Sequence, residues 1–207
     1  MSSHVYFPCS GAISITISLP SGSEIEVGSV GREGGLAAGW DPDFPDVLSR
    51  GTVLMSGIFS VVPIRNFRLA SLANRELRDA ALACKAWILV QAQQRAACNA
   101  IHSADARLCR WLLQYDEYTD DGTIPLTQET IAQLLGIQRT TLSLLAQRLQ
   151  IAGALRCSRG RITIRDRAAL ERQACGCQRI IGRCYWPSEL ILQHAAPASM
   201  RTGVKPG

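Results

Sequence analysis

Gln138, Arg139, Thr140, Thr141 and Ser143 fall within one short stretch, and each can hydrogen-bond to a base edge. An arginine fork matches two acceptors of guanine, and hydroxyl groups reach base edges or lay a methyl against thymine. A second set follows at Arg156, Arg159, Arg161 and Arg165, spaced as the outer face of a small hairpin would space them. Arginines so arranged suit phosphate oxygens, which position a protein on a duplex without reading its sequence. A third set, Cys175, Cys177 and Cys184 with His194 beyond, offers thiolate chemistry. Its "CGC" lacks the two-residue gap usual between paired metal thiolates, so free thiols are expected and no metal ligand is assigned. Whether these cysteines hold a metal or respond to oxidation stays open. His4 and His102 have no partner pattern, and His102, at a join between helices, is read as structural. No nucleophile–base set, phosphate loop or carboxylate pair is evident, so neither enzymatic activity nor a cofactor is expected.

The first two sets need elements to hold them. In "LTQETIAQLLGIQRTTLSLLAQRLQ", Thr127 caps a helix whose apolar residues are Ile131, Leu134 and Leu135. Gly136 stands where a positive φ must end that helix, and Ala132 is small where a second helix must cross. Leu142, Leu145 and Leu149 give the second helix its buried face. The polar set around Arg139 is left on the exposed first turn and outer side, with Thr127 and Gln128 at a helix N-terminus able to hold a phosphate through backbone N–H groups. This spacing is that of a helix-turn-helix, although an ordinary helical hairpin can satisfy it. "GALRCSRGRITIRD" alternates apolar and basic residues about a turn at "RG", which makes a wing beside the second helix.

Upstream, "GAISITISLPSGSEIEVGSV" alternates strictly: Ile13, Ile15, Ile17 and Leu19 on one face, Ser14, Thr16 and Ser18 on the other. After "PSGS" the pattern resumes with Ile25 and Val27 against Glu24 and Glu26, which predicts a hairpin buried on one face. More strand is expected at 51–63, and a loop at 39–46. Residues 74–101 contain neither Pro nor Gly and allow one helix of about 28 residues, about 40 Å long. Leu77, Ala81, Cys84, Ile88, Gln91, Arg95 and Cys98 recur along it at heptad-like spacing, suited to a helix between a partner helix and its own domain. Ser103 can cap the next helix, with Asp105 in its first turn and a stripe at Leu108, Trp111, Leu112 and Tyr115.

Charge separates the two ends. The chain carries a net +5 from 22 basic and 17 acidic residues, and residues 127–207 hold twelve of the basic and four of the acidic groups, a local +8. Such asymmetry points to a polyanionic partner. Met1 leads into polar and turn residues rather than a basic and then apolar leader. The run "AALACKAWILV" is broken by Lys85 and falls short of the roughly 20 residues of a membrane span. A cytoplasmic protein with eight reduced cysteines and no membrane association is therefore expected.

These blocks together resemble the Crp/Fnr family of transcription regulators. "VYFPCSGAISITISLPSGSEIEVGSVGREG" is similar to the middle of the family's cyclic-nucleotide-binding-like barrel, and "ACNAIHSADARLCRWLL" to its join from dimer helix to DNA domain. "LTQETIAQLLGIQRTTLSLLAQRLQIAGALRCSRGRITIRDRAAL" resembles its winged helix along its length, and the likeness covers most of 4–177.

Four departures qualify it. The family barrel has a helix and several strands ahead of the segment that opens this sequence, so a partial barrel with an exposed edge strand is expected. Nucleotide-binding members follow a Gly-Glu segment with Arg-Ser or Arg-Thr; here "GREGG" offers Glu33, but only Arg50 follows, before Gly, so cyclic-nucleotide binding is not expected. Many members read DNA with a Glu and an Arg around a Ser or Gly, where this chain has Thr140, Ser143 and Leu144 with Arg139 retained, so a different target is expected. Members with an iron–sulfur sensor keep an N-terminal cysteine cluster, and here Cys9 stands alone.

The resemblance implies an α+β chain: a partial β-barrel sensor at 1–72, a long dimerisation helix at 73–101, a winged helix-turn-helix at 102–186 and a flexible tail at 187–207. It implies a homodimeric, sequence-specific regulator of transcription on a palindromic site. Double-stranded DNA would be bound through Thr127, Gln128, Gln138, Arg139, Thr140, Thr141, Ser143, Arg156, Arg159 and Arg161. RNA polymerase is a further candidate partner, and no effector is legible. The competing expectation is an effector-binding or protein-interaction module whose winged helix does not read DNA. A third is a shortened barrel that binds DNA and senses nothing.

Overall fold

The computed structural model describes residues 3–38 and 49–183. The loop expected at 39–46, the tail expected at 187–207, Cys184 and His194 lie outside the described residues. The first part is β structure: β1 (His4–Pro8), β2 (Ala12–Ser18), β3 (Glu24–Val30), β4 (Ser49–Met55) and β5 (Phe59–Pro63). β1 pairs antiparallel with β5, and β2 lies between β3 and β4 in a second sheet. Among the described residues the two sheets do not close into a full barrel. Gly22, at φ +84°, turns the chain between β2 and β3 where "PSGS" predicts it.

The alternation in β2 fixes which residues share a face but not what covers each face. Ile13 and Ile15 are buried as expected, yet Ser14 and Thr16, expected to meet water, are 0% and 1% exposed. Leu19, expected on the buried face, lies beyond the strand and is 45% exposed. The reason is tertiary: helices pack over the polar side of the sheet and bury it.

Those helices begin with α1 (Ile64–Ala73), which the sequence did not announce. Pro63 precedes it without a side-chain cap, and Phe67 is its single buried residue. α2 (Arg75–Ile101) follows, capped by the Asn74 side chain, which accepts from Leu77 N at 3.0 Å. It runs 27 residues, as its lack of Pro and Gly suggests. Its heptad positions Ala81, Gln91, Arg95 and Cys98 are all buried within the chain itself. A different stripe, Leu82 and Leu89, is left outside at 57% exposure each. The expected seam is therefore the intrachain face, and the outer face is one residue further round.

After α2 come α3 (Ala104–Asp116), β6 (Thr123–Ile124), α4 (Gln128–Leu135), α5 (Arg139–Ile151), β7 (Leu155–Ser158), β8 (Arg161–Ile164), α6 (Arg167–Gln173) and α7 (Cys177–Arg183). Ser103 caps α3 through Ala106 N, and Leu108, Trp111, Leu112 and Tyr115 are all at most 1% exposed, as the stripe predicts. Ile131, Leu142, Leu149, Ile162 and Leu170 pack on them to form the largest core. β6 was not foreseen; it adds a third strand to the wing, in the order β6-β8-β7.

The sheet and this helical unit meet at a buried carboxylate. Glu26 of β3, expected on a solvated face, is 2% exposed. Its Oε1 accepts from Arg95 Nη1 of α2 and from Trp111 Nε1 of α3 at 3.0 Å. Its Oε2 accepts from Ser14 Oγ at 2.6 Å and Tyr115 OH at 2.5 Å. Arg95 Nη2 donates to Gln114 Oε1 at 3.0 Å, and Gln114 Nε2 donates to Ser29 Oγ at 2.7 Å. A buried ion pair survives desolvation when hydrogen bonds satisfy its remaining capacity, and here the Glu26 carboxylate has four donors. Burial, and then the Glu26 charge, push the Tyr115 hydroxyl well above its ordinary pKa, which keeps it a donor.

Candidate nucleic-acid interface

The geometry of the helix pair follows from its sequence. Thr127 Oγ1 accepts from Thr130 N at 3.1 Å and starts α4. Gly136 ends α4 at φ 64° and ψ 40°, a left-handed conformation that costs residues with a Cβ. Ile137 N then donates to Ala132 O at 3.0 Å, which closes the turn. Ala132 is 2% exposed where α5 crosses, and Leu142, Leu145 and Leu149 bury the inner face of α5. From α3, Arg107 Nη2 donates to Leu135 O, a carbonyl left without a helical partner at the end of α4. The first turn of α5 is held from three sides while its outer side meets solvent.

On that outer side Gln138, Arg139 and Thr140 are exposed, with Thr127 exposed at the neighbouring cap. Thr141 and Gln128 are half-buried. Ser143, expected to be exposed, is half-buried as well, because its Oγ donates to Gln128 Oε1 at 2.9 Å across the two helices. Arg139 Nη1 lies 3.6 Å from Glu129 Oε2, with both side chains 70% exposed. Such a surface pair contributes about 0–1 kcal/mol and exchanges readily for a stronger anion.

The wing arginines Arg156, Arg159, Arg161 and Arg165 are exposed, and none has an ion pair among the described residues. Gly160, at φ +74°, makes the turn that "RG" predicts. Other cations of the basic third are occupied internally. Arg167 is held by Asp116, by Glu117 at 3.6 Å and by Glu171 at 3.0 Å, and Arg172 lies 3.9 Å from Asp166. The net charge of this region therefore overstates what it offers to a ligand.

The sequence shows Leu144 as a departure from the family pattern without giving it a contact, and it is 58% exposed one helical turn from Thr140. An apolar side chain at an outward position of α5, off the stripe of Leu142, Leu145 and Leu149, was the available signal. It can pack on a thymine methyl, a contact that hydroxyls and amides make less well.

Glu33 is engaged within the fold. Its Oε1 accepts from Gly31 N at 2.7 Å and from Tyr118 OH at 2.9 Å, so it braces the stretch after α3 against β3. Burial raises its pKa above the ordinary value. Arg50 pairs with Glu24 at 3.3 Å on the surface. Of the cysteines singled out above, Cys175 and Cys177 are buried, and they meet Cys98 and His102 of the α2–α3 join, far from them in sequence. Among the described residues no helix is long and apolar enough to cross a membrane.

Residues 106–173 match the Crp-like helix-turn-helix domain. The fold is similar to that of FixK2 from Bradyrhizobium japonicum, with a TM-score of 0.68 at 18% identity, covering 84% of this chain and 88% of that one. It is also similar to two regulators of Thermus thermophilus. One, of the CRP family, has a TM-score of 0.65 at 18% identity, covering 83% of this chain and 88% of that one. The other, of the CRP/FNR family, has a TM-score of 0.66 at 17% identity, covering 83% of this chain and 87% of that one. The Thermus proteins are described as transcriptional regulators. No curated protein sequence matches this one.

Proposed function

We propose that this chain, which carries a Crp-like helix-turn-helix domain on the fold of Crp/Fnr-family transcriptional regulators, acts as a homodimer that recognises a palindromic DNA site. The observation that carries this reading is one surface: Arg139 and Thr140 exposed on the first turn of α5, beside a wing whose arginines have no ion pair among the described residues. In this reading residues 1–72 form the sensor-like part, 73–101 the dimerisation helix and 102–186 the DNA-binding part. Leu82 and Leu89 lie one heptad apart on the outer face of α2, and that exposed stripe supports a helix-to-helix dimer. Two copies of α5 would then enter successive major grooves about 34 Å apart.

Each residue has a role that its position supports. Arg139 leaves Glu129 for guanine or a phosphate, and Thr140, Thr141 and Leu144 meet base edges and methyls. Gln138 extends the same turn, and Ser143 acts with Gln128, whose helix N-terminus faces the backbone. Arg156, Arg159 and Arg161 add affinity that is independent of sequence and falls with salt.

The test is selection of bound duplexes from a random library at two salt concentrations, with wild-type protein and with Arg139→Ala. Paired half-sites are expected for wild type. The variant should lose preference at one position of each half-site, a discrimination of about 1–3 kcal/mol. Retention that vanishes with salt and enriches no motif would overturn the reading in favour of a winged helix used for protein contacts.

A further inference from the structure

Four metal-ligating side chains outside the DNA face converge on one point. Cys98 lies in the last turn of α2, and His102 is the residue that ends it, four positions on. Cys175 and Cys177 flank Gly176, Cys175 in the link after α6 and Cys177 as the first residue of α7. The three Sγ atoms and a ring nitrogen of His102 all lie within 4.8 Å of one another. Cys98 Sγ is 3.9 Å from Cys175 Sγ, and Cys177 Sγ is 3.8 Å from His102 Nδ1. A tetrahedral ion bound by thiolates at about 2.3 Å and imidazole at about 2.0 Å sets its ligand atoms roughly 3.5–3.8 Å apart. The Cys98–Cys175 and Cys177–His102 separations need only a few tenths of an ångström of closure, and the remaining pairs, all within 4.8 Å, need roughly 1 Å at most. An iron–sulfur cluster distributes its ligands over separate irons and spreads them wider than this.

We infer that Cys98, His102, Cys175 and Cys177 form a Cys3His site for one structural zinc ion, which pins the end of α2 to the segment that follows the winged helix. The surroundings fit the charge such a site would carry. Three thiolates and Zn2+ sum to −1, and the thiols face Arg110, which is 1% exposed and electrostatically coupled to Cys98 and Cys175. The Nε and Nη1 of Arg110 have no hydrogen-bond partner among the described residues. A buried guanidinium with two unpaired N–H groups is costly, and an anionic metal–thiolate centre adds counter-charge to that which Glu26 supplies through space. Arg107 is a second cation that interacts electrostatically with the same two thiols. The site is closed: Cys98, Cys175 and Cys177 are at most 8% exposed and His102 is half-buried, so four protein ligands leave no open coordination position. That arrangement fits a structural ion rather than a catalytic one.

The experiment is metal analysis of the full chain purified without chelators, alongside Cys98→Ser, Cys177→Ser and, as a control remote from the cluster, Cys9→Ser. About one zinc per chain is expected for wild type and for Cys9→Ser, the stoichiometry of a Cys3His site, and well under half of that for the other two. Because loss of a buried ligand can unfold the chain, the wild type is also loaded with cobalt(II). Intense visible ligand-field bands together with thiolate charge transfer are expected for a tetrahedral, sulfur-rich site. Wild-type protein that retains no zinc and gains no thermal stability when zinc is added would overturn the proposal. A Cys98–Cys175 disulfide in freshly prepared protein, or stoichiometric iron with sulfide, would overturn it equally. None of these readouts involves DNA, so they stand or fall separately from the regulator reading.

Discussion

The outer face of α5 and the cluster around Glu26 are both polar, yet they are built by opposite means. The α5 face is a run of neighbours in sequence whose exposure follows from a cap, a glycine and a stripe of leucines. The Glu26 cluster gathers residues of β2, β3, α2 and α3, with Arg95, Trp111 and Tyr115 lying 69, 85 and 89 positions away from it. On the first, a side chain is available to a ligand and contributes little to stability. In the second, all four donors to the Glu26 carboxylate and both terminal nitrogens of Arg95 are committed to the fold. The polar residues of such a chain therefore divide by what surrounds them and not by type, and substitution should separate the two groups.

The largest effect is expected from Glu26→Ala. It leaves Arg95 buried without its anion, and breaking a buried pair in this way costs about 3–5 kcal/mol. Denaturant unfolding should show that loss, while any base preference of folded protein is retained; an unchanged midpoint would mean that Glu26 is solvated. Gly136→Ala comes next. A Cβ there would sit 2.9 Å from Ile25 Cδ1 at a φ of +64°, and the left-handed conformation alone costs about 1–2 kcal/mol. Its melting temperature should fall by several degrees, which calorimetry would read.

Arg159→Ala should behave in the opposite sense to Glu26→Ala. Stability should change by under about 0.5 kcal/mol, while the salt dependence of DNA binding becomes shallower by about 0.9 in log–log slope. A large loss of stability with an unaltered slope would erase the distinction drawn here. The smallest effect is expected at Glu33. Its carboxyl is held above the ordinary value by burial, so the folded state keeps a proton that the unfolded chain has released. The stability this contributes is complete below the unfolded pKa and is lost as pH rises through the raised folded value. Glu33→Gln should flatten that decline, which melting temperatures from about pH 4 to pH 8 would show.

The elements that local rules specify were legible. Thr127, Gly136 and the leucine spacing placed α4 and α5, and the alternation about "RG" placed the wing. Alternation places Ser14, Thr16 and Glu26 towards water because it describes one strand and not the helices that cover it. α1 escaped notice because it has no capping side chain and buries only Phe67. Ser143 was read as free because its partner, Gln128, stands on another helix. The thiol cluster was illegible for the same reason: Cys98 and Cys175 are 77 positions apart, and neither the Cys98–His102 pair nor "CGC" is complete without the other.

The distance in sequence between Glu26 and its donors also acts in time. Tyr115 leaves the ribosome 89 residues after Glu26, an interval of roughly 4–18 s at about 5–20 residues per second. Throughout that interval the growing chain shows Ser14, Thr16 and Glu26 to water, so the side of the sheet destined to be buried is hydrophilic while it waits. The polar face then serves the nascent chain as a built-in solubiliser, which the arrival of α3 converts into an internal joint.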